Sequence, residues 1–146
     1  MTPPLLWLLG DPTAAWTVAL AEALAQQGAH VERIGPSRAA EWLAAGAMPH
    51  VAATPQLFIL GGDVAFPAQG ALMQLLDRAG PWRFLPRVVV TTAEEPDETR
   101  LAYQHGAASL VVMNEGVAGG LRRAAEVVAR YWVRTVMLPN PDYFAV

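Results

Sequence analysis

The sequence predicts an α/β fold, a three-layer sandwich in which helices cover both faces of a five-stranded parallel sheet. Short apolar runs alternate with helix-length segments along the whole chain, and the connections between them are short. Several runs lack the apolar–polar alternation of a half-exposed strand, which is typical of strands buried on both faces. With 146 residues, the chain is long enough for one domain with a single sizeable core. The natural strand order for such a chain is 2-1-3-4-5.

Five segments have the composition of strands. The first, Leu5–Leu9, and the third, Leu57–Leu60, are unbroken apolar runs. The fourth, Arg87–Thr91, is rich in β-branched residues. The second, His30–Ile34, alternates and is expected to be more exposed, whereas the fifth, Leu110–Met113, is again apolar.

Five helices are predicted between and after these strands. Thr13 is placed to cap the first, from about residue 14 to 27, and Gly28 is a helix stop. Asp97 is placed to cap the fourth, which runs through His105 and stops at Gly106. The remaining helices are predicted at about 37–46, 69–78 and 117–132.

Composition excludes several classes of function. A net charge of −3 and a pI near 5.5 give no electrostatic reason to expect nucleic acid or an anionic membrane as a partner. The chain has no cysteine, which rules out disulfides and thiolate metal sites. No apolar stretch is long enough to span a membrane and no secretory signal is recognised, so we expect a cytoplasmic protein. All ten basic residues are arginines, so the chain contains no lysine.

Polar residues follow the predicted strands at the C-terminal edge of the sheet, where open parallel α/β sheets bind ligands. Gly61-Gly62 ends the third strand and puts Asp63 at this edge. The other residues expected there are Asp11, Thr91, Thr92 and either Met113 or Asn114. An aspartate in such a loop is also an ordinary turn or capping residue, so both interpretations of Asp11 and Asp63 stay open.

Four segments, in the same order, give the chain a resemblance to a known family. They are Asp63–Pro67, Val88–Thr92, Gly106-Ala107 and Tyr131–Pro139. With them the chain resembles, along nearly its whole length, the flavodoxin-like receiver domains of bacterial response regulators. The aromatic pair Tyr131-Trp132 and the apolar, proline-containing tail make it most similar to the single-domain regulators that partner bacterial phytochromes. The resemblance implies a receiver-like domain over residues 1–137 and a C-terminal tail over 138–146.

In the family that the chain resembles, a kinase histidine passes a phosphoryl group to an aspartate with the help of Mg²⁺. This chemistry uses an acidic pair after the first strand, an aspartate after the third, a hydroxyl after the fourth and a lysine after the fifth. The resemblance assigns the acidic pair to Gly10 and Asp11, so one carboxylate of two remains, and the hydroxyl to Thr91. Met113 or Asn114 occupies the place of the lysine.

The place of the phosphoacceptor is ambiguous. Spacing from Pro55 assigns it to Gly61, whereas spacing to Pro67 assigns it to Asp63, with two residues inserted. Each electrostatic group lost from such a site weakens catalysis by about 2–4 kcal/mol. The lysine and one metal-binding carboxylate are both gone. We therefore expect a degenerate receiver that is not an enzyme, holds no metal or cofactor, and acts by protein–protein interaction.

Two alternatives to this degenerate receiver remain. One is a working phosphoacceptor that uses Asp63 with an incomplete Mg²⁺ site. The other is a flavodoxin-like binder of a small molecule, although Gly10–Trp16 lacks the hydroxyl and glycine residues that cradle a phosphate. For both receiver functions, the partner that the resemblance implies is a sensor histidine kinase or a phytochrome.

The end of the chain carries more apolar surface than one helix buries against its own sheet, which indicates an interface. We expect a homodimer whose interface includes Val128, Tyr131, Trp132, Val136 and Leu138. The resemblance suggests the face formed by the fourth helix, the fifth strand and the fifth helix. The alternative is a tail that folds back on its own domain.

Overall fold

Five parallel strands form one sheet in the computed structural model of the protein. They are β1 Leu5–Leu9, β2 His30–Ile34, β3 Leu57–Gly61, β4 Arg87–Thr91 and β5 Ser109–Val112. Their order in the sheet is β2-β1-β3-β4-β5, as the sequence predicts. The structure describes residues 3–44, 55–61, 66–78, 83–91, 96–113 and 120–139.

Helices connect and follow these strands at the predicted places. They are α1 Ala15–Gln26, α2 Pro36–Ala44, α3 Phe66–Asp77, α4 Pro96–Gln104 and α5 Gly120–Arg130. The prediction of Asp97 as the cap of α4 is wrong, because α4 begins at Pro96 and Asp97 lies in its first turn. α3 begins before the predicted Gln69, because Pro67 is compatible with a first helical turn, where a backbone N–H has no helical partner. α5 continues into a π-helical turn, Tyr131–Thr135, in which Val136 N donates to Tyr131 O at 2.9 Å. None of the helices within the described ranges is long and apolar enough to cross a membrane.

Two of the predicted helix stops are confirmed. Gly28 and Gly106 have φ values of 95° and 96°, in the left-handed region that glycine adopts without steric cost. At the end of α4, Gly106 N donates to Tyr103 O and Ala107 N donates to Ala102 O, both at 3.0 Å. This is the Schellman arrangement, which satisfies the last carbonyls of a helix and fixes the direction in which the chain leaves it.

The core consists of two layers, one on each face of the sheet. Leu5, Trp7 and Leu9 of β1 belong to the layer under α2, α3 and α4, whereas Leu6 and Leu8 belong to the layer under α1 and α5. All five of these side chains are buried, as expected for a strand covered on both faces. β2 lies at an edge of the sheet and exposes most of its residues, as its alternation predicts.

The described part of the tail lies against its own domain. Val136 and Leu138 pack on the core layer under α1 and α5, while Met137 between them is almost fully exposed. Gln56 Nε2 donates to the carbonyl of Pro139 at 3.3 Å, next to the start of β3. Up to Pro139, the tail therefore folds back on its own domain, which was the alternative to an interface. Residues 140–146 lie outside the described residues.

Candidate functional site

The candidate site is the C-terminal edge of the sheet, where β1, β3, β4 and β5 end side by side. The register between β1 and β3 pairs Leu9 with Leu60, and Gly10 and Gly61 are the next residues of the two chains. Thr91, the last residue of β4, pairs with Val112 of β5. The sheet therefore brings together the strand ends that the sequence analysis singled out.

Asp11 is the acidic residue at the end of β1, and it is bound to its own loop. Its Oδ1 accepts hydrogen bonds from the backbone N–H of Thr13 at 2.9 Å and from the Thr13 hydroxyl at 2.8 Å. These bonds, chiefly the backbone one, lower the pKa of Asp11 below its ordinary value of 3.8. The prediction of Thr13 as the cap of α1 is wrong, because the N-cap is Ala14, which makes no side-chain cap bond. Thr13 instead holds the Asp11 carboxylate.

Two of the strand ends are glycines, which have no side chain that could bind a metal ion or accept a phosphoryl group. Gly10 and Gly61 are both buried. The resemblance assigns to Gly10 a metal-binding carboxylate and, on one of the two spacings, assigns to Gly61 the phosphoacceptor. Neither position can supply such a group. Asp63, Thr92 and Asn114 lie outside the described residues, so their assignment to the site stays a prediction.

Met113 follows β5 directly, at one of the two places where the resemblance expects a lysine. Its backbone N–H donates to the carbonyl of Thr91 at 2.7 Å, so the chain is still held against β4 here. The Met113 side chain is fully buried, in the same core layer as Trp16 and Val128. Position 113 therefore contributes to the core, and its side chain is not presented to the edge of the sheet.

The described residues do not provide a site for the Mg²⁺ ion that the resemblance implies. Mg²⁺ requires near-octahedral oxygen coordination, usually with one or two carboxylates. Over the ranges that the structure describes, no group of three or more His, Asp or Glu side chains could hold a metal ion. Among the described strand ends, Asp11 is the only carboxylate, and its Oδ1 already accepts two hydrogen bonds from Thr13.

The residues predicted to form a dimer interface divide into two groups. Val128 and Trp132 are buried in the core layer under α1 and α5, so they do not offer contact surface to another molecule. Their burial follows from the packing of α5 along α1, which the sequence alone does not reveal. Tyr131 is half exposed, and its ring contacts that of Trp132 edge to face at a centroid distance of 5.4 Å. Of the three residues Val128, Tyr131 and Trp132, Tyr131 is therefore the one that is exposed enough to contact another molecule.

Three further exposed apolar side chains lie on α4, β5 and α5, outside the set of residues predicted for the dimer interface. They are Tyr103 on α4, Val112 on β5 and Val127 on α5. Val127 belongs to the apolar segment at the end of the chain that indicates an interface, and it stands four residues before Tyr131, which places both on one helix face. The exposure of Tyr103 and Val112 depends on β5 being the edge strand, which requires the tertiary structure.

Comparison with known proteins identifies the fold of the chain through solved structures of low sequence identity. No protein-family model matches the chain, and no curated protein matches it. The phosphorylated cyanobacterial phytochrome response regulator RcpA matches 94% of this chain and 99% of its own, with 18% identity and a TM-score of 0.78. The Mn²⁺-bound response regulator Rcp1 matches the same shares at 18% identity with a TM-score of 0.74. For the response regulator RPA3017 in red light signaling of R. palustris, the same shares match at 18% identity and the TM-score is 0.71.

The fold is that of a receiver domain. The neighbours include phytochrome response regulators, as the resemblance implied. The flavodoxin-like architecture and the strand order of the receiver fold are both present. Because one fold can host several functions, what this receiver fold does has to follow from its own strand ends and surface.

Proposed function

We propose that the protein is a pseudo-receiver, an adaptor of two-component signalling that binds a partner protein without being phosphorylated. The observation that carries the proposal is the poverty of charged groups at the described strand ends. Asp11 is occupied by its own loop, Gly61 has no side chain, and the Met113 side chain lies in the core. Phosphoryl transfer is catalysed by a metal ion, carboxylates and a cation placed around the phosphorus, and their loss raises the barrier to the transfer.

The proposed partner is a sensor histidine kinase or a phytochrome. RcpA is described as a phytochrome response regulator, and RPA3017 as a regulator in red light signaling. The similarity of the fold to these proteins over nearly the whole chain supports a partner of the same class. A receiver fold that keeps its architecture and lacks its charged groups can still present a surface to such a partner.

We further propose that the protein forms a homodimer through the face of α4, β5 and α5. Tyr103, Val112 and Val127 lie on these three elements, Tyr131 lies in the turn that continues α5, and each of the four is more than a third exposed. Clustered exposed apolar residues on a soluble domain usually mark an interface, and tyrosine is enriched at interface cores. The interface proposed here therefore keeps Tyr131 from the sequence prediction and replaces the buried Val128 and Trp132 by three neighbours.

Intact mass after incubation with acetyl phosphate and Mg²⁺ tests the absence of phosphorylation. We expect no gain of a phosphoryl group in the wild-type chain. A gain that disappears in Asp63→Asn and persists in Asp97→Asn, a control that removes an exposed carboxylate elsewhere, would establish the working phosphoacceptor instead. It would also end the pseudo-receiver proposal.

Light scattering tests the dimer separately. We expect a mass of twice the 15.7 kDa of the chain, unchanged by acetyl phosphate. Val127→Asp places a charge in the proposed interface and should yield the monomer, whereas Val18→Asp, at an exposed apolar position on α1, should leave the mass unchanged. A wild-type monomer at high concentration contradicts the dimer without affecting the phosphorylation result. Deleting the tail from Leu138 onward should also weaken the dimer, but it is less selective, because Leu138 packs on the core.

A further inference from the structure

The two edges of the sheet are protected in different ways. An edge strand presents backbone N–H and C=O groups that another chain can pair with, and charged side chains are a common deterrent. β2 carries such charges: His30, Glu32 and Arg33 are exposed, and His30 Nε2 lies 3.1 Å from Glu32 Oε1. β5, at the opposite edge, contains no charged residue and has no fully buried one. β5 is therefore the edge that needs another form of protection.

Tyr103 makes a contact that covers this edge. The backbone N–H of Leu110, in β5, donates to Tyr103 Oη at 3.2 Å. The tyrosine lies in the last turn of α4, where the Schellman arrangement at Gly106 fixes its backbone. Half of its surface is exposed, so the hydroxyl reaches the strand at the margin of the sheet. A backbone donor of the edge strand is thus bound by a side chain of the same molecule.

We propose that Tyr103 is an edge guard: its hydroxyl occupies the Leu110 donor and thereby prevents β5 from pairing with β5 of a second copy. The partner in such pairing is a second copy of this chain, because an uncharged apolar strand pairs well with an identical strand. Uncharged apolar segments of high β-propensity pair readily with themselves, since nothing in them repels an identical strand. In an in-register pairing with a copy of β2, Glu32 and Arg33 would each face a like charge, which is destabilising.

This edge guard is independent of the proposed dimer. The dimer packs side chains of α4, β5 and α5 against a second copy, whereas strand pairing would continue the sheet through backbone hydrogen bonds. A guard at Leu110 allows the first kind of association and blocks the second. It would do so whether the wild-type protein is a monomer or a dimer.

Tyr103→Phe tests the proposal, because it removes the hydroxyl and keeps the ring. Hydrogen exchange of the Leu110 amide, followed by NMR in dilute protein, should accelerate about fivefold, which corresponds to the loss of one ordinary hydrogen bond. Exchange of the Val89 amide in β4, which lies between β3 and β5, should be unchanged and serves as the reference for global stability. Light scattering should show a mass that rises with concentration above the wild-type value.

Two further variants make the test specific. Ser37→Ala removes the hydroxyl of an exposed residue on α2, outside the proposed dimer interface, and should change neither the exchange rate nor the mass. In Tyr103→Phe combined with Ser109→Lys, a charge on the edge strand should return the mass to the wild-type value while Leu110 exchange stays fast.

Two results would overturn the proposal. If Leu110 exchange relative to Val89 is the same in Tyr103→Phe and wild type, the hydroxyl does not protect this donor. If exchange accelerates but the mass equals that of wild type at every concentration, the covered donor does not control strand pairing. Either result leaves the measurements on phosphorylation and on the wild-type dimer untouched.

Discussion

The two ends of the sheet use polar groups in opposite ways. At the N-terminal end, the Arg87 side chain is buried, and its Nη2 donates to Asp77 Oδ1 at 2.6 Å and to the carbonyl of Arg83 at 3.3 Å. These contacts join β4 to the end of α3. At the same end, Arg134 Nε donates to Gln27 Oε1 at 3.3 Å, which joins the turn after α5 to the end of α1.

At the C-terminal end, the side-chain contact between Asp11 and Thr13 is local. Asp11 binds Thr13, two residues away, and thereby shapes one loop. The side chain of Met113 is buried in the core and is not exposed at the edge of the sheet. The two contacts that join separate elements, at Arg87 and at Arg134, thus lie at the N-terminal end of the strands, away from the candidate site. Stability and site chemistry are therefore separated along the strands, and substitutions at the two ends should have different consequences.

The largest effect is expected at Met113. Met113→Lys places an ammonium group at a fully buried position, which should lower the free energy of unfolding by more than about 4 kcal/mol, measured by denaturant titration. Met113→Leu conserves volume and should cost less than about 1.5 kcal/mol. A stable Met113→Lys variant that accepts a phosphoryl group from acetyl phosphate would show that position 113 faces the site and that the contrast between the two ends is wrong.

The second effect concerns the ion pair at the N-terminal end. Asp77→Ala leaves the buried Arg87 guanidinium without its carboxylate and should cost about 3 kcal/mol, the low end for a buried pair because the Asp77 side chain is 57% exposed. Arg87→Met should cost less, about 1 kcal/mol, because it removes the buried charge and leaves an aspartate that water can solvate. Thermal and denaturant unfolding of both variants give the comparison. The reverse order would mean that Arg87 is not desolvated as its burial indicates.

A smaller effect is expected where α3 meets the residue after α4. A Cβ added at Gly70 would lie 2.9 Å from His105 Nε2. Gly70→Ala gains about 1 kcal/mol in helix propensity, but the overlap should outweigh it and give a net loss of about 1 kcal/mol. In a His105→Ala background, the same change should stabilise the protein. An equal effect in both backgrounds, measured as a double-mutant cycle by denaturant unfolding, would show that the two residues do not interact.

The smallest effect is expected at the C-terminal end itself. Thr13→Val removes the hydroxyl bond to Asp11 and keeps the backbone one, so the pKa of Asp11, followed by NMR titration, should rise but stay below 3.8. A carboxyl whose folded-state pKa is depressed adds stability above its unfolded-state pKa and loses it as the pH falls through the folded-state value. The variant should therefore lose a little stability at neutral pH and none at the acid limit. An unchanged Asp11 pKa would contradict the loop contact.

The sequence alone determined the elements and their order. Unbroken apolar runs predict buried strands because both faces of a parallel sheet are covered, and Gly28 and Gly106 predict helix ends because only glycine adopts a positive φ without cost. These are local properties of the sequence, so they can be recognised without knowing which residues pack against them. The receiver fold followed from them and from four short segments.

The tertiary structure alone decided which side chains reach the site or the surface. Val128 and Trp132 share an apolar segment with Tyr131, and only the packing of α5 along α1 buries the first two and exposes the third. Likewise, the composition around Met113 did not show that its side chain belongs to the core. The direction of a side chain at a strand end depends on the pleat and on the layer beneath it, and both come from residues distant in sequence.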